Sequence, residues 1–383
     1  MPDVAIIGVG LHPFGRHPGK SALHMGAAAA RLALADARLS WRDIEFAVGG
    51  SAEVDQPDAV VAELGLTGIQ FTNVYNGCAT AASALALAAQ TIKLGEHKIG
   101  LVVGLDKHER GAFTADPVEY GCPTWYGEMG FFLTTKFFGM KINRYMHDHG
   151  ITHETLARVA AKNYRNGSLN PNALRRTPLG VDEILGARMV NYPLTQYMFC
   201  SPDEGAAAAV VCDAAIARRF TDQPIFLRSV AVRTRGYGAY EVHMPSAPPS
   251  ALGVPAPTRD AATVAFDAAG IGPEDVDIAQ LQDTDAGAEV IHMAETGLCK
   301  DGEQNDLIAA GVTALDGRLP INTDGGLLAN GEPVGASGLR QVFELVQQLR
   351  GRAGERQVAR QPRVALAHLY GAPGVSAVSI LSV

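Results

Sequence analysis

Short apolar, β-branched runs alternate with longer segments of helical periodicity along most of the chain, the pattern of a layered α/β fold. Val4-Ala-Ile-Ile-Gly-Val-Gly, Phe46-Ala-Val-Gly-Gly, Ile69-Gln-Phe-Thr-Asn-Val and Ile99-Gly-Leu-Val-Val-Gly-Leu read as strands, the third as a buried one. Ser21 is placed to cap a long amphipathic helix reaching about Ala37, and an Ala-rich helical segment follows Cys78. From about 106 to 200 the alternation loosens into turn-rich sequence around two helical stretches, Phe131 to His149 and Thr152 to Asn166. An excursion of that length is expected to be a functional loop or lid. Strand character returns in Glu204 to Asp213 and Ile225 to Thr234, and the Pro-rich piece Pro245-Ser-Ala-Pro-Pro-Ser, with Pro255 and Pro257, marks a boundary. Two halves are therefore expected, 1–250 including a loop domain at about 106–200, and 251–383. The second half restarts the alternation: helix Arg259 to Ala269, strand Ile278 to Asp283, helix Ala286 to Thr296, helix Leu339 to Arg350, then strands Val364 to Gly371 and Val375 to Val383. Cys78 to Gly104 and Gly331 to Gly371 share one order of features (glycine-containing turn, helix of small residues, charged loop, apolar strand), which points to internal duplication.

Composition narrows the function classes. The 383 residues are 47% hydrophobic and 19% charged, ample for a sizeable core, and the formal charge of −8 gives no general footprint for nucleic acid. No apolar run approaches the length of a membrane span, and Met1-Pro-Asp-Val-Ala-Ile-Ile-Gly is a strand start rather than a signal peptide. Five widely spaced cysteines (78, 122, 200, 212, 299) without a Cys-x-x-Cys pair argue against a disulfide framework and against a cysteine zinc site. A reducing, cytoplasmic setting and no bound metal are expected.

The chemistry concentrates at Asn76-Gly-Cys-Ala-Thr-Ala-Ala, the joint between an apolar strand and the Ala-rich helix. A cysteine at a helix start lies among unpaired N–H groups at the positive end of the dipole, and both favour thiolate. Gly77 allows a sharp turn, and the small residues after Cys78 leave room for a substrate. A buried structural cysteine is the competing explanation.

Asn76-Gly-Cys-Ala-Thr-Ala-Ala-Ser-Ala resembles the nucleophile motif of thiolases, and Asn330-Gly-Glu-Pro-Val-Gly-Ala-Ser-Gly resembles their Gly-His-Pro-x-Gly-Ala-[ST]-Gly motif. Asp203-Glu-Gly-Ala-Ala-Ala-Ala-Val-Val, Leu298-Cys-Lys-Asp-Gly-Glu and Leu319-Pro-Ile-Asn-Thr-Asp-Gly-Gly-Leu extend the similarity, in order, over essentially the whole chain. The nearest branch is the sterol-carrier or lipid-transfer type of thiolase. The resemblance implies the thiolase fold, two similar halves with αβαβα layering, each built on a five-stranded sheet, with an inserted loop domain over an acyl-CoA site and a homodimer core. It implies Cys78 as the nucleophile on a 3-oxoacyl-CoA, coenzyme A as the second substrate with no permanently bound cofactor, and the backbone N–H groups of Cys78 and Gly371 as the oxyanion hole.

Two motifs depart from the family pattern. Its Gly-His-Pro is Gly331-Glu332-Pro333, so the histidine that activates the cysteine becomes a carboxylate, which can act as a base but when ionised cannot donate to an oxyanion. Its His-Asp-Cys-Phe is Gln282-Asp283-Thr284-Asp285, which keeps a donor in Gln282 but replaces the acid cysteine by Thr284. His368 and Tyr370, in Ala367-His-Leu-Tyr-Gly, are the candidates to exchange a proton at the reacting carbon instead. Each has a plain alternative: Glu332 as a helix-start carboxylate, His368 as a core histidine, Tyr370 as a packing residue. Arg175-Arg176 and Lys136 to Arg144 are candidates to meet the phosphates of CoA.

The altered acid–base set suggests a branched, aromatic or steroid-derived 3-oxoacyl-CoA, a benzoylsuccinyl-CoA-type thiolase subunit being one such profile. An aldol lyase acting on β-hydroxyacyl-CoA, relying on tyrosine, is the alternative, and an acyl-CoA or lipid binder without catalysis a third. Relatives in both enzymatic groups often work with a small zinc-ribbon/OB-fold companion chain.

Overall fold

The computed structural model describes residues 3–111, 116–120, 123–131, 134–237, 254–372 and 374–383. The expected boundary at 250/251, with Pro245-Ser-Ala-Pro-Pro-Ser, and Cys122 lie outside the described residues. The first half carries β1 (Val4–Gly15), α1 (Ala22–Asp36), β2 (Phe46–Gly50), α2 (Val61–Leu64), β3 (Gln70–Val74), α3 (Thr80–Lys93) and β4 (Ile99–Lys107). An excursion follows, with α4 (Thr124–Glu128), α5 (Thr134–His149), α6 (His153–Ser168), α7 (Val181–Leu185) and the two-stranded β5 (Met189–Asn191) and β6 (Leu194–Thr195). β7 (Glu204–Asp213) and β8 (Ile225–Arg233) lead into α8 (Pro257–Ala269), β9 (Ile278–Gln280), α9 (Ala286–Glu295), α10 (Gln304–Ala309), α11 (Gly326–Asn330), α12 (Ser337–Leu349), β10 (Val364–Gly371) and β11 (Val375–Ser382).

Nine strands join in the order β3-β2-β4-β7-β1-β8-β11-β10-β9. The order contains the duplication. From β1 outward, β7 and β4 add antiparallel, then β2 and β3 add parallel. From β8 outward, β11 and β10 add antiparallel and β9 adds parallel, and a parallel bridge from Ala279 to Ile321 stands where β3 stands in the first half. The halves meet where Val4–Ile6 pairs with Leu227–Ile225. The expected pair of five-stranded sheets is thus one sheet that continues through β1 and β8.

Small residues set the layers. Cβ atoms at Gly8 and Gly10 of β1 would collide with the backbone of α1 at Ala33 and Ala29, so α1 lies close on the outer face of the first half. Ser21 Oγ caps this helix by accepting from His24 N at 3.1 Å. α3 and α12 lie together in the middle layer, each touching strands of both halves. Ala81, Ala84, Leu85 and Ala88 of α3 share one core with Leu339, Val342, Leu345 and Leu349 of α12. α8 and α9 cover the outer face of the second half, in a core that also takes in α5 and α6 of the excursion. β3 departs from its expected burial. As the edge strand it has, among the described residues, a strand neighbour only in β2, and its residues are exposed or half-buried.

Candidate active site

β3 ends at Val74, and the next residues turn sharply into α3. Gly77 takes φ +55°, the left-handed region that glycine enters without strain. Thr80 clamps the turn: its Oγ1 accepts from Asn76 N at 2.9 Å and donates to the Gly77 carbonyl at 2.6 Å. Asn76 Nδ2 donates to Ser83 Oγ at 2.9 Å. Cys78 is held two residues before the helix, half-buried. The end of β10 packs directly on this turn. A Cβ on Gly371 would lie 2.5 Å from the Asn76 carbonyl oxygen, 3.0 Å from Ala79 N and 3.3 Å from Cys78 N.

The corresponding turn of the second half, residues 331–336 before α12, is pinned from three sides. Gly335 N donates to Asp106, whose carboxylate also accepts from Ser51 Oγ, Ala52 N and Glu53 N. Val334 N donates to His108 Nε2 at 3.1 Å, which leaves Nδ1–H to donate to Glu53 at 2.8 Å. Glu332 N donates to the Ser201 carbonyl at 2.9 Å. Ahead of the turn, Asp283 accepts from Leu327 N at 2.6 Å and Leu328 N at 3.2 Å, tying α11 to the segment that follows β9. Asn163 of α6 donates to Asp283 and Glu289, and Lys162 pairs with Glu289 at 2.9 Å. Every member of this network is buried except the partly exposed lysine, so losing any of them strands a polar partner.

The buried Glu332 carboxylate is where these elements converge. Gln282 Nε2 donates to Oε1 at 2.9 Å and to Thr284 Oγ1 at 3.0 Å. Cys200 Sγ donates to Oε2 at 3.4 Å, and the charge of the same carboxylate acts on the Cys78 thiol. Both oxygens are used as acceptors, the arrangement of a base rather than of an oxyanion donor. Burial, then the charge and hydrogen bond of Glu332, push the Cys78 thiol well above its ordinary range, and Cys200 is raised in the same way. The thiolate expected from the helix start alone is therefore disfavoured at rest: a neighbouring carboxylate and desolvation outweigh the dipole.

The structure thus brings Cys78, Glu332 and Gln282 together, with Cys78 N beside Gly371. His368 and Tyr370 take another direction. Alternation along β10 turns Leu369 to the nucleophile side, where it packs with Ala79, Ala82 and Ala377. His368 faces the opposite layer, its Nε2 3.2 Å from Thr258 Oγ1 and 3.1 Å from Ser376 Oγ, its ring centroid 4.3 Å from that of His292. Burial and His292 hold it neutral, well below the usual histidine range. Tyr370 shares that face, with Lys141 Nζ 4.3 Å from its ring centroid and Phe138 edge-on. Arg175 is turned inward: its guanidinium donates to Tyr164 Oη, the Leu328 carbonyl and Ser201 Oγ, so it braces α11 rather than meeting a phosphate. Cys200 received no role from the sequence. Its position just before Asp203-Glu-Gly-Ala is the only signal that could have drawn attention to it.

Comparison with known proteins identifies the family. Residues 4–177 match the family described as the thiolase N-terminal domain, and residues 244–382 match the thiolase C-terminal domain-like family. An acetyl-CoA acetyltransferase from Methanothermobacter thermautotrophicus is 31% identical over 392 residues, covering 100% of both chains. The benzoylsuccinyl-CoA thiolase subunit BbsB of Thauera aromatica is 30% identical over 373 residues, 96% of this chain and 94% of that one. Among solved structures, an Ltp2-ChsH2(DUF35) aldolase superposes with a TM-score of 0.85 at 25% identity, covering 99% of this chain and 97% of the other. Matched in both halves and along its whole length, the chain belongs to the thiolase family of acyltransferase enzymes.

Proposed function

We propose that the protein cleaves, or in reverse forms by Claisen condensation, a branched, aromatic or steroid-derived 3-oxoacyl-CoA through an acyl-enzyme on Cys78. The observation that carries this reading is the buried Glu332 carboxylate, hydrogen-bonded by Gln282 and Cys200 and near enough to the Cys78 thiol for its charge to act on it. Glu332 takes the thiol proton as sulfur attacks the 3-oxo carbon, which avoids populating a costly buried thiolate. The N–H groups of Cys78 and Gly371 receive the oxyanion that forms. Gln282 holds Glu332 in place through its 2.9 Å hydrogen bond. Free CoA then takes the acyl group from sulfur. The substrate class rests on the relative named for benzoylsuccinyl-CoA and on the loss of the family's usual histidine and acid cysteine.

The same reading assigns residues 1–250 and 251–383 to the two halves, with the excursion at about 106–200 as cover for the substrate. It assigns a homodimer formed across the outer edge of β3, where Tyr75, 59% exposed, stands beside the nucleophile turn. A relative named as a subunit and a neighbour titled as a complex with a DUF35 chain support a small companion chain. Among the described residues no helix is long and apolar enough to cross a membrane; the thiol chemistry suits the reducing cytoplasm.

An aldol lyase is the second reading, favoured by the aldolase neighbour and by Tyr370 at a strand end with a lysine over its ring. Intact-protein mass spectrometry separates the two. With benzoylacetyl-CoA or acetoacetyl-CoA and no free CoA, a covalent acyl adduct is expected on Cys78 and none on Cys78→Ala. No adduct, with aldehyde or ketone released from a β-hydroxyacyl-CoA, would replace the first reading by the second.

A further inference from the structure

Breaking the bond between C2 and C3 of a 3-oxoacyl-CoA leaves a carbanion that needs a proton. The position at which the family resemblance puts an acid is Thr284, whose hydroxyl does not ionise in the range proteins reach. Gln282, the other polar neighbour of Glu332, is an amide with the same limitation. Cys200 fills the gap in space. Its N–H donates to the Thr284 carbonyl at 2.9 Å, so it stands directly beside that position, and its Sγ donates to Glu332 Oε2 at 3.4 Å. Of the side chains whose hydrogen bonds to the Glu332 carboxylate are described, Gln282 and Cys200, only Cys200 carries a thiol, and the same carboxylate acts on the thiol of Cys78.

We propose that Cys200 is a second catalytic residue, the acid that protonates C2 of the departing acyl-CoA enolate, recharged through Glu332 with the proton that Glu332 took from Cys78. The proposal rests on the thiolase reading above. In the first half-reaction Cys78 Sγ bonds to C3 and its proton passes to Glu332. The alkoxide collapses, the C2–C3 bond breaks, and its electron pair goes to C2. Cys200 gives its proton to C2, and Glu332 returns one to the Cys200 sulfur. Net, one proton moves from Cys78 to C2, Cys78 is acylated, and Glu332 and Cys200 are restored. In the second half-reaction the CoA thiol attacks the acyl group, Glu332 accepts the CoA proton, and Cys78 receives it as it leaves.

Electrostatics time the relay. The Glu332 charge helps keep Cys200 protonated. Once Glu332 has accepted the Cys78 proton, that charge is gone and the Cys200 thiol becomes more acidic as the carbanion develops. The backbone bond to Thr284 and the hydrogen bond to Glu332 hold Cys200 at this carboxylate.

The test compares two reactions of one enzyme. Benzoylacetyl-CoA cleavage to benzoyl-Cys78 and acetyl-CoA needs a carbanion acid, whereas acyl transfer from benzoyl-CoA to Cys78 needs only the nucleophile and its base. In Cys200→Ala and Cys200→Ser, single-turnover cleavage is expected to fall at least ~100-fold. Acyl transfer from benzoyl-CoA is expected to lose less than about tenfold, which also reports an intact site. Cleavage at the wild-type rate in either variant would overturn the relay. So would equal losses of both reactions in the serine variant with an unchanged melting temperature, since Cys200 would then act only by positioning Glu332. Wild-type enzyme that forms no acyl-Cys78 with either thioester would instead remove the thiolase reading on which the relay stands.

Discussion

Replacing Glu332 by glutamine keeps the shape of the side chain, removes its charge and takes away the base. The shape matters because the position is buried and both oxygens are hydrogen-bonded. The amide oxygen of the substituted side chain can still accept from Gln282, so the expected loss of stability is about 1 kcal/mol, one hydrogen bond's worth. The catalytic loss is larger: general-base assistance contributes ~10²–10⁴-fold, or roughly 3–5 kcal/mol. A second effect opposes it. A carboxylate within hydrogen-bond reach of a sulfur destabilises the thiolate by roughly 4 kcal/mol at an effective dielectric near 20. Removing it lowers the Cys78 thiol toward its ordinary value, leaving burial and the charge of Asp106 to hold it up.

The two effects move two measurements in opposite directions. At pH 8 iodoacetamide should modify Cys78 of Glu332→Gln at least ~10-fold faster than in the wild type, because more thiolate is present. Acyl-enzyme formation at pH 7 should be ~100-fold or more slower, because no group takes the proton during attack. The deficit should shrink with rising pH, close to tenfold per pH unit, until the thiol has titrated. A variant with wild-type turnover, or one alkylated more slowly than the wild type, would refute the base assignment and the electrostatic reasoning together.

Two further outcomes follow from the packing around this pair. Gly371→Ala places a methyl group 2.5 Å from the Asn76 carbonyl oxygen and 3.3 Å from Cys78 N, so the nucleophile turn must move. Acylation of Cys78 should drop ~100-fold with the melting temperature lowered by only a few degrees, and wild-type acylation would exclude this strand end from the site. Asp203 is buried beside Gly331, with Arg16 Nε 3.9 Å away, and burial lifts its carboxyl to about 8. Its folded-state value lies above the unfolded one, so the folded chain binds the extra proton. This contribution to stability is full below about pH 4 and is lost as pH rises through 8. Asp203→Asn should therefore flatten the fall of melting temperature between pH 6 and 9, a relative gain on the order of 3 kcal/mol at the alkaline end; an unchanged pH dependence would refute the burial argument.

The fold was legible because its determinants are local and periodic. The Ser21 cap and the alternation of apolar runs gave α1 and most of the strands of the nine-stranded sheet near their observed bounds. What failed was what depends on facing and neighbours. β3 has the composition of a buried strand, yet its burial is decided by the absence of a described strand beyond it. His368 and Tyr370 occupy the right stretch of β10, but a strand alternates faces, and one position of offset puts Leu369 at the nucleophile and the two polar residues in the layer behind. Cys78 read alone is an activated thiolate; read with Glu332 it is a thiol held protonated beside a buried carboxylate. Cys200 could not be found by spacing, since only the folded chain brings it to a carboxylate 132 positions away.

The duplication gives these particulars a common cause. Each half delivers, ahead of its middle-layer helix, one glycine-bearing turn: Asn76 to Ala79 before α3, and 331–336 before α12. With α3 and α12 packed against each other, the two turns meet at the same end of the layer, so the thiol of one repeat and the carboxylate of the other are adjacent by symmetry rather than by design of either turn alone. Positive φ at Gly77 and at Gly331 shows both turns using the same device to expose the next side chain, the thiol in one case and the carboxylate in the other. The identity of the residue after the glycine is then the variable on which the chemistry depends. With both oxygens accepting hydrogen bonds, Glu332 is arranged as an acceptor, which on the proposed reading leaves oxyanion binding to the backbone N–H groups at Cys78 and Gly371. On the proposed reading two changes divide the work: glutamate for histidine at 332 puts an acceptor beside the thiol, and threonine for cysteine at 284 leaves the carbanion acid to Cys200.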